Sequence, residues 1–244
     1  MRQFGLVGHP LGHSFSQRYF SEKFRTLGLQ SECQYLNFDI DDIDKLPSVL
    51  AQHPDLVGFN VTIPYKEQIL PLLDEISEGA RKIGAVNCVR INNGRLTGYN
   101  TDVFGAGLTI DNLTEGKPCK ALVLGSGGAS KAVREALRER NIPYLLVSRR
   151  SENGAITYTE LTEEIIRTHT LIINTTPLGM HPHVDAAPDI PYQWLTSEHR
   201  LFDLVYNPAE TLFMRRGIEL GAKAACGEEM LVEQAEKSWE IWNI

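Results

Sequence analysis

The sequence predicts an α/β protein with largely parallel sheets, divided into two domains. Short apolar runs alternate with longer segments of helical periodicity, the signature of strand–helix–strand units. The chain has 244 residues, which at about 150 residues per domain fits one large domain or two small ones. Periodicity is lost across 113–119, LTEGKPC, and a second α/β series starts at Lys120. The joint between domains is expected near there, with the helix before it already crossing between the domains.

In the first series, residues 2–8 read as a strand, followed by the loop HPLGHSFS. An amphipathic helix from about Ser16 to Leu27 stops at Gly28. Strands are expected at 33–38 and 55–62, with Pro64 opening a helical turn. Segments 85–92 and 95–99 flank Asn92-Asn93-Gly94, a hairpin signal. A helix from about Thr101 to Asn112 closes the series. In the second series, strands are expected at 120–124, 144–148, 170–174, 201–205 and 222–226. Helices are expected near 128–140, 210–220 and 228–242. No fixed-period repeat or low-complexity segment is visible.

Composition excludes several classes. Hydrophobic residues make up 42% and charged residues 23%, ordinary for a globular protein and wrong for a disordered or collagen-like one. Lys and Arg number 24 against 31 Asp and Glu, a net charge of −7. An acidic chain is ill suited to general nucleic-acid binding, so no nucleic-acid partner is expected. Cys33, Cys88, Cys119 and Cys226 lie far apart, without zinc-ligand spacing, and read as reduced thiols. No metal site is expected. No apolar run approaches the ~18 residues of a membrane helix. Met1-Arg2-Gln3-Phe4-Gly5 passes straight into a strand pattern, so a cytoplasmic protein without a leader is expected.

One segment carries phosphate-binding chemistry. ALVLGSGGAS runs from a strand through Gly125, Ser126, Gly127, Gly128 and Ala129 into a helix. Such glycines allow a tight turn and close approach of a phosphate, while the helix start offers N–H groups and a positive dipole end. Ser130 stands where the Rossmann fingerprint has a third Gly or Ala. The next strand ends in Ser148, Arg149 and Arg150, where an NAD site carries an acid about 20 residues past the glycines. Guanidinium groups suit a 2′-phosphate instead, so NADP is the expected cofactor.

Polar clusters mark the first half. Ser14 and Ser16 flank Phe15; Asn60, Thr62 and Lys66 follow the third strand; Asn87, Asn100, Thr101 and Asp102 complete the set. Each has a plain alternative: Ser16 and Asp102 as helix caps, Lys66 as a surface charge. Gathered beyond strand ends, these hydroxyls and amides suit a hydroxyl-rich ligand. A lysine and an aspartate among them can carry proton transfer.

The chain resembles the shikimate dehydrogenase family over essentially its whole length. The matching motifs stand in the family's order: Ser14-Phe15-Ser16, Asn60-Val61-Thr62-Ile63-Pro64-Tyr65-Lys66, Gly84-Ala85-Val86-Asn87 and Asn100-Thr101-Asp102. They continue with Gly125-Ser126-Gly127-Gly128-Ala129-Ser130, Asn174-Thr175-Thr176, Asp203-Leu204-Val205-Tyr206-Asn207-Pro208 and Met230-Leu231-Val232-Glu233-Gln234-Ala235. The resemblance implies an N-terminal α/β substrate domain, residues 1–103, completed by a C-terminal helix at about 228–244. It also implies a Rossmann-like NADP-binding domain, 104–227, with a groove between the two.

Further implications concern residues. Groups matching Ser14 and Ser16 hold a substrate carboxylate, and those matching Asn60, Thr62, Asn87, Asp102 and Gln234 hold ring hydroxyls. Tyr206 lines the substrate pocket, and Lys66 with Asp102 forms the catalytic pair. The resemblance, with the glycine-rich turn, assigns Gly125, Ser126, Gly127, Gly128, Ala129, Ser148, Arg149, Arg150, Thr175 and Gly227 to the cofactor. The implied reaction is reversible reduction of 3-dehydroshikimate to shikimate with NADPH, in a monomer or homodimer. The chain departs from the pattern where Asn153 replaces a second arginine, where Glu229 replaces a glycine, and in a short 150–170 stretch expected to trim a helix. The alternatives are a quinate/shikimate dehydrogenase using NAD and a non-catalytic shikimate- or NADPH-binding paralogue.

Overall fold

The computed structural model describes residues 1–12, 15–152 and 154–244. The chain divides into two units, Met1–Thr101 with Ala235–Ile244, and Asp102–Gln234.

The first unit holds β1 (Arg2–Gly8), α1 (Phe15–Thr26), β2 (Cys33–Asp39), α2 (Leu46–Gln52), β3 (Leu56–Val61) and β4 (Glu75–Ile76). It continues with α3 (Glu78–Ile83), β5 (Cys88–Asn92) and β6 (Arg95–Tyr99). Its sheet runs β2-β1-β3-β5-β6-β4. The sheet is mixed rather than all parallel, because β5 pairs antiparallel with both β3 and β6. The β5–β6 hairpin turns at Asn93 and Gly94, both at positive φ, the geometry that the Asn-Gly pair favours.

Alternation along the strands sorts side chains between two cores. Phe4 and Leu6 of β1 join an aromatic cluster with Phe20, Phe24, Tyr35 and Trp242. Val7 joins the opposite cluster with Phe38, Phe59, Ile69 and Val89. Trp242 donates from Nε1 to the Val89 carbonyl at 3.0 Å. A Cβ on Gly58 would lie 2.3 Å from Trp242, so glycine there lets the indole lie against β3.

The second unit holds α4 (Asp102–Thr114), β7 (Ala121–Leu124), α5 (Gly128–Glu139), β8 (Tyr144–Ser148), β9 (Ile156–Thr157) and α6 (Glu163–Thr168). It continues with β10 (Leu171–Asn174), β11 (Arg200–Asp203), α7 (Leu212–Ile218), β12 (Lys223–Ala225) and the start of α8 (Gly227–Trp242). Its strands run β12-β11-β10-β7-β8-β9, all parallel, the doubly wound arrangement expected of a Rossmann-like unit. The core gathers Leu122, Leu124, Val147, Ile166, Ile172, Leu201 and Phe213. The 150–170 stretch keeps a helix, the six-residue α6, whose start the Thr162 side chain caps. Among the described residues, no helix is long and apolar enough to cross a membrane.

Candidate active site

In the first unit, the expected polar residues form a buried network. Tyr35 and Asn60 lie on one face of the sheet, on β2 and β3, with β1 between them. The Tyr35 hydroxyl donates to Asn60 Oδ1 at 2.9 Å. Asn60 Nδ2 donates to the Asn87 carbonyl at 3.2 Å and to Ser238 Oγ at 2.9 Å. Thr101 donates its backbone N–H to Asn87 Oδ1 at 2.6 Å, and Asn87 Nδ2 donates to Thr101 Oγ1 at 3.0 Å. The Thr101 and Ser238 hydroxyls lie 3.3 Å apart. Asn60 is 4% exposed, Asn87 2% and Thr101 1%. Amides so buried are stable only when their hydrogen bonds are made, and made bonds hold them in one orientation. Burial pushes the Tyr35 phenol well above its usual pKa, opposed in part by a hydrogen bond from Ser16. Tyr35 and Ser238 were not singled out from sequence.

The Lys66 segment is fixed from its flanks. Thr62 N–H donates to the Val7 carbonyl at 2.9 Å, and Val86 N–H donates to the Lys66 carbonyl at 2.7 Å. The buried Tyr65 donates its hydroxyl to the Ile40 carbonyl at 2.6 Å. Pro64 does not open an α-helix. Residues 63–69 form successive turns, and one 3-10 turn follows at Leu70–Leu72. The Thr62 and Lys66 side chains are half-buried. Ser14 and Asn153 lie outside the described residues.

In the second unit, Asp102 is the first residue of α4, where the helix dipole favours a carboxylate. Gln234, on α8, donates to the Leu231 carbonyl at 3.0 Å. A Cβ on Gly105 would lie 2.4 Å from the Met230 carbonyl oxygen, so glycine lets α4 and α8 approach closely.

The glycine-rich turn has room for a phosphate. Gly125 has φ +104°, and a Cβ there would meet Thr175 Oγ1 and Thr176 Cγ2 at 2.9 Å. Thr175 in turn donates to the Leu124 carbonyl at 2.7 Å. Beyond this crowded corner the turn opens: a Cβ on Gly127 or Gly128 would meet nothing within 4 Å. No side chain caps the start of α5, which leaves its first N–H groups for an anion. Ser126 and Ser148 hydroxyls lie 3.4 Å apart, and Arg149 and Arg150 are exposed. An open glycine turn, an uncapped helix start and two exposed guanidinium groups fit a phosphorylated dinucleotide.

Nearby loops are tied by a second buried network. Asp203 Oδ1 accepts from Asn174 Nδ2 at 2.9 Å and from Val205 N–H at 3.0 Å, while Oδ2 accepts from Thr211 at 2.6 Å. Burial pushes the Asp203 carboxyl up to about 6, against the lowering effect of those bonds. The network holds the start of the segment that carries Tyr206, which is itself 39% exposed. Gly227 is required by contact, since a Cβ would lie 2.2 Å from the Leu204 carbonyl oxygen. Glu229 accepts from Asn112 of α4, which gives this unusual acid a partner within its own unit. Among the described residues, no cluster of His, Cys, Asp and Glu could hold a metal ion.

Residues 6–89 match the family model of the shikimate dehydrogenase substrate binding domain. The NADP(+) shikimate dehydrogenase of Methanococcus maripaludis is 39% identical over 257 residues, covering 98% of this chain and 90% of that protein. The crystal structure of a chorismate mutase/shikimate 5-dehydrogenase fusion protein from Clostridium acetobutylicum superposes with a TM-score of 0.88 at 37% identity. That match covers 99% of this chain and 91% of the other. The Thermus thermophilus shikimate 5-dehydrogenase, solved with NADP(H) and shikimate, has a TM-score of 0.85 at 34% identity, covering 99% and 93%. With one relative matched in sequence and others in fold over nine-tenths or more of both chains, the chain belongs to the shikimate dehydrogenase family.

Proposed function

We propose that this protein is an NADP-dependent oxidoreductase that reversibly reduces 3-dehydroshikimate to shikimate. The observation that carries this reading is the buried amide–hydroxyl network of Asn60, Asn87, Thr101 and Ser238 beside the Lys66 turn. A surface lysine would need no such fixed surroundings.

In this reading, residues 1–103 with the C-terminal helix bind substrate, and 104–227 bind NADP. Gly125, Ser126, Gly127, Gly128 and Ala129 receive the dinucleotide phosphates on backbone N–H groups. Ser148, Arg149 and Arg150 select the 2′-phosphate, while Thr175 and Gly227 shape the turn edges. Ser14 and Ser16 hold the carboxylate, and Asn60, Thr62, Asn87, Asp102 and Gln234 hold ring hydroxyls beside Tyr206. When bound, NADPH supplies the hydride. Lys66 Nζ then gives a proton to the alkoxide oxygen formed from the carbonyl, and regains one from solvent. Asp102 is the carboxylate partner of that ammonium. In the oxidative direction, the Lys66 amine accepts the hydroxyl proton.

The acidic chain, with small-molecule partners and no nucleic acid, fits a cytoplasmic monomer or homodimer. The test is turnover of shikimate with NADP, repeated with quinate and with NAD. Turnover of shikimate with NADP well above the other three combinations is expected. Absence of shikimate oxidation by folded protein would overturn the assignment.

A further inference from the structure

The two hydroxyls missed in the sequence, Tyr35 and Ser238, restrict what Asn60 can recognise. An asparagine amide has two N–H donors and two acceptor lone pairs on its oxygen. Both N–H groups of Asn60 are committed, to the Asn87 carbonyl and to Ser238 Oγ. One lone pair of Oδ1 is taken by the Tyr35 hydroxyl. The amide cannot be turned over without cost. Reversal would set Oδ1 against the Asn87 carbonyl oxygen, two acceptors 3.2 Å apart with no proton between them.

We infer that Tyr35 and Ser238 are positioning residues that leave Asn60 one acceptor lone pair, and no donor, for a ligand. The inference rests on the reading of the chain as a shikimate dehydrogenase. A carbonyl oxygen can only accept, so Asn60 does not hold the reacting oxygen when it is a ketone. It reads a ring hydroxyl that donates a proton in both substrate and product, one that is never oxidised. The amide thereby checks the ring's identity while remaining indifferent to the redox state of the reacting carbon. This division of labour keeps affinity for shikimate and 3-dehydroshikimate balanced at this contact.

The experiment uses the full chain and two shikimate analogues, with fluorine in place of the 4- or the 5-hydroxyl. Fluorine keeps the size and removes the donor. In the unaltered protein, one analogue should lose about tenfold or more in kcat/KM relative to shikimate. Tyr35→Phe should raise KM for shikimate, leave KM for NADP unchanged and shrink that fluorine penalty severalfold. Ser238→Ala removes an acceptor that holds Asn60 Nδ2 in place, which loosens the amide and weakens its contact with the ring hydroxyl, and should shrink the penalty too. If Tyr35→Phe does not fold, Ser238→Ala decides the question alone. A penalty unchanged within about twofold in a folded variant, or no penalty for either analogue in the unaltered protein, overturns the inference. Absence of shikimate turnover by the unaltered protein would instead refute the functional reading beneath it.

Discussion

The two six-stranded sheets equip their polar ends in opposite ways. In the first unit, the polar groups are side chains, buried and fixed by one another: Asn60, Asn87, Thr101, Ser238 and Tyr35. In the second, the glycine turn offers backbone, with open space beside Gly127 and Gly128 and exposed arginines beyond. A fixed side-chain network suits one pattern of ring hydroxyls; a backbone cradle with exposed guanidinium groups suits a phosphate group common to many molecules. The networks also differ in charge. The first is built of neutral amides and hydroxyls, whereas the knot of the second contains a carboxyl group, Asp203.

If this contrast holds, changes in the first unit alter parameters for shikimate, and changes in the glycine-rich turn alter those for NADP. The largest effect is expected at Lys66. Lys66→Ala should lower kcat by about 10²–10⁴-fold and leave NADP affinity nearly unchanged. Asp102→Asn should also lose much activity, and the double variant should fall little further, because paired groups act as one unit. Steady-state kinetics with a cofactor titration checks this; near-normal kcat in folded Lys66→Ala protein would refute the catalytic role.

Next in size is a pH effect confined to the second unit. Asp203 titrates near 6 in the folded protein against 3.8 when unperturbed. Between those values the folded state binds the proton more tightly than the unfolded chain, so stability falls as pH rises from about 4 to about 6. The loss is on the order of 2–3 kcal/mol. Asp203→Asn keeps an acceptor for Asn174 and removes the titration. Thermal unfolding at pH 4.5 and 7 should show a smaller decline with pH in the variant; equal declines would remove Asp203 as the cause.

Arg149→Ala should weaken NADP binding by about 1.5–3 kcal/mol, the loss of a charge-assisted contact. NAD binding should be nearly unaffected, so the preference narrows. A variant that keeps the full NADP preference would assign selection elsewhere in the cradle. The smallest effect is expected at Ser16. Ser16→Ala should raise KM for shikimate by roughly tenfold with little change in kcat, because the carboxylate does not react. Collapse of kcat at unchanged KM would erase the distinction between binding and reacting groups in this unit.

Much of this architecture is legible in the sequence, for local reasons. The β5–β6 hairpin announces itself in Asn93-Gly94, and β8 in an apolar run closed by charged residues. The uncapped start of α5 follows from glycines at 127 and 128, where no side chain can reach back. Short elements are harder. Helix α3 has only six residues, and its signals are a Ser77 cap and a left-handed Gly84; α2 buries only Leu46. Neither has enough periodicity to stand out. The turns at 63–69 mimic a helix start, because a proline is equally suited to both.

Tyr35 and Ser238 illustrate the limit most clearly. Each is an ordinary residue in its own element, a strand tyrosine and a helix serine. Their importance comes from hydrogen bonds spanning 25 and 178 positions of sequence. Spacing rules describe one helix or strand at a time, so a network assembled across β2, β3 and α8 leaves no periodic trace. Glu229 is the converse case. The sequence marks it as unusual, and only the fold supplies Asn112 as its partner.

The split of α8 bears on how the protein is made. Residues up to Gln234 belong to the second unit, and Ala235–Ile244 belong to the first. Ala235, Ile241 and Trp242 pack into the aromatic cluster with Phe4, Phe20, Phe24 and Tyr35. During synthesis, the N-terminal strands therefore emerge long before the helix end that covers them. Domains ordinarily fold in the order in which they leave the ribosome, but here the first to appear is the last to be finished. Its aromatic cluster lacks Ala235, Ile241 and Trp242 while more than a hundred intervening residues are translated. A nascent chain interrupted within that interval exposes a sticky surface that the completed protein hides.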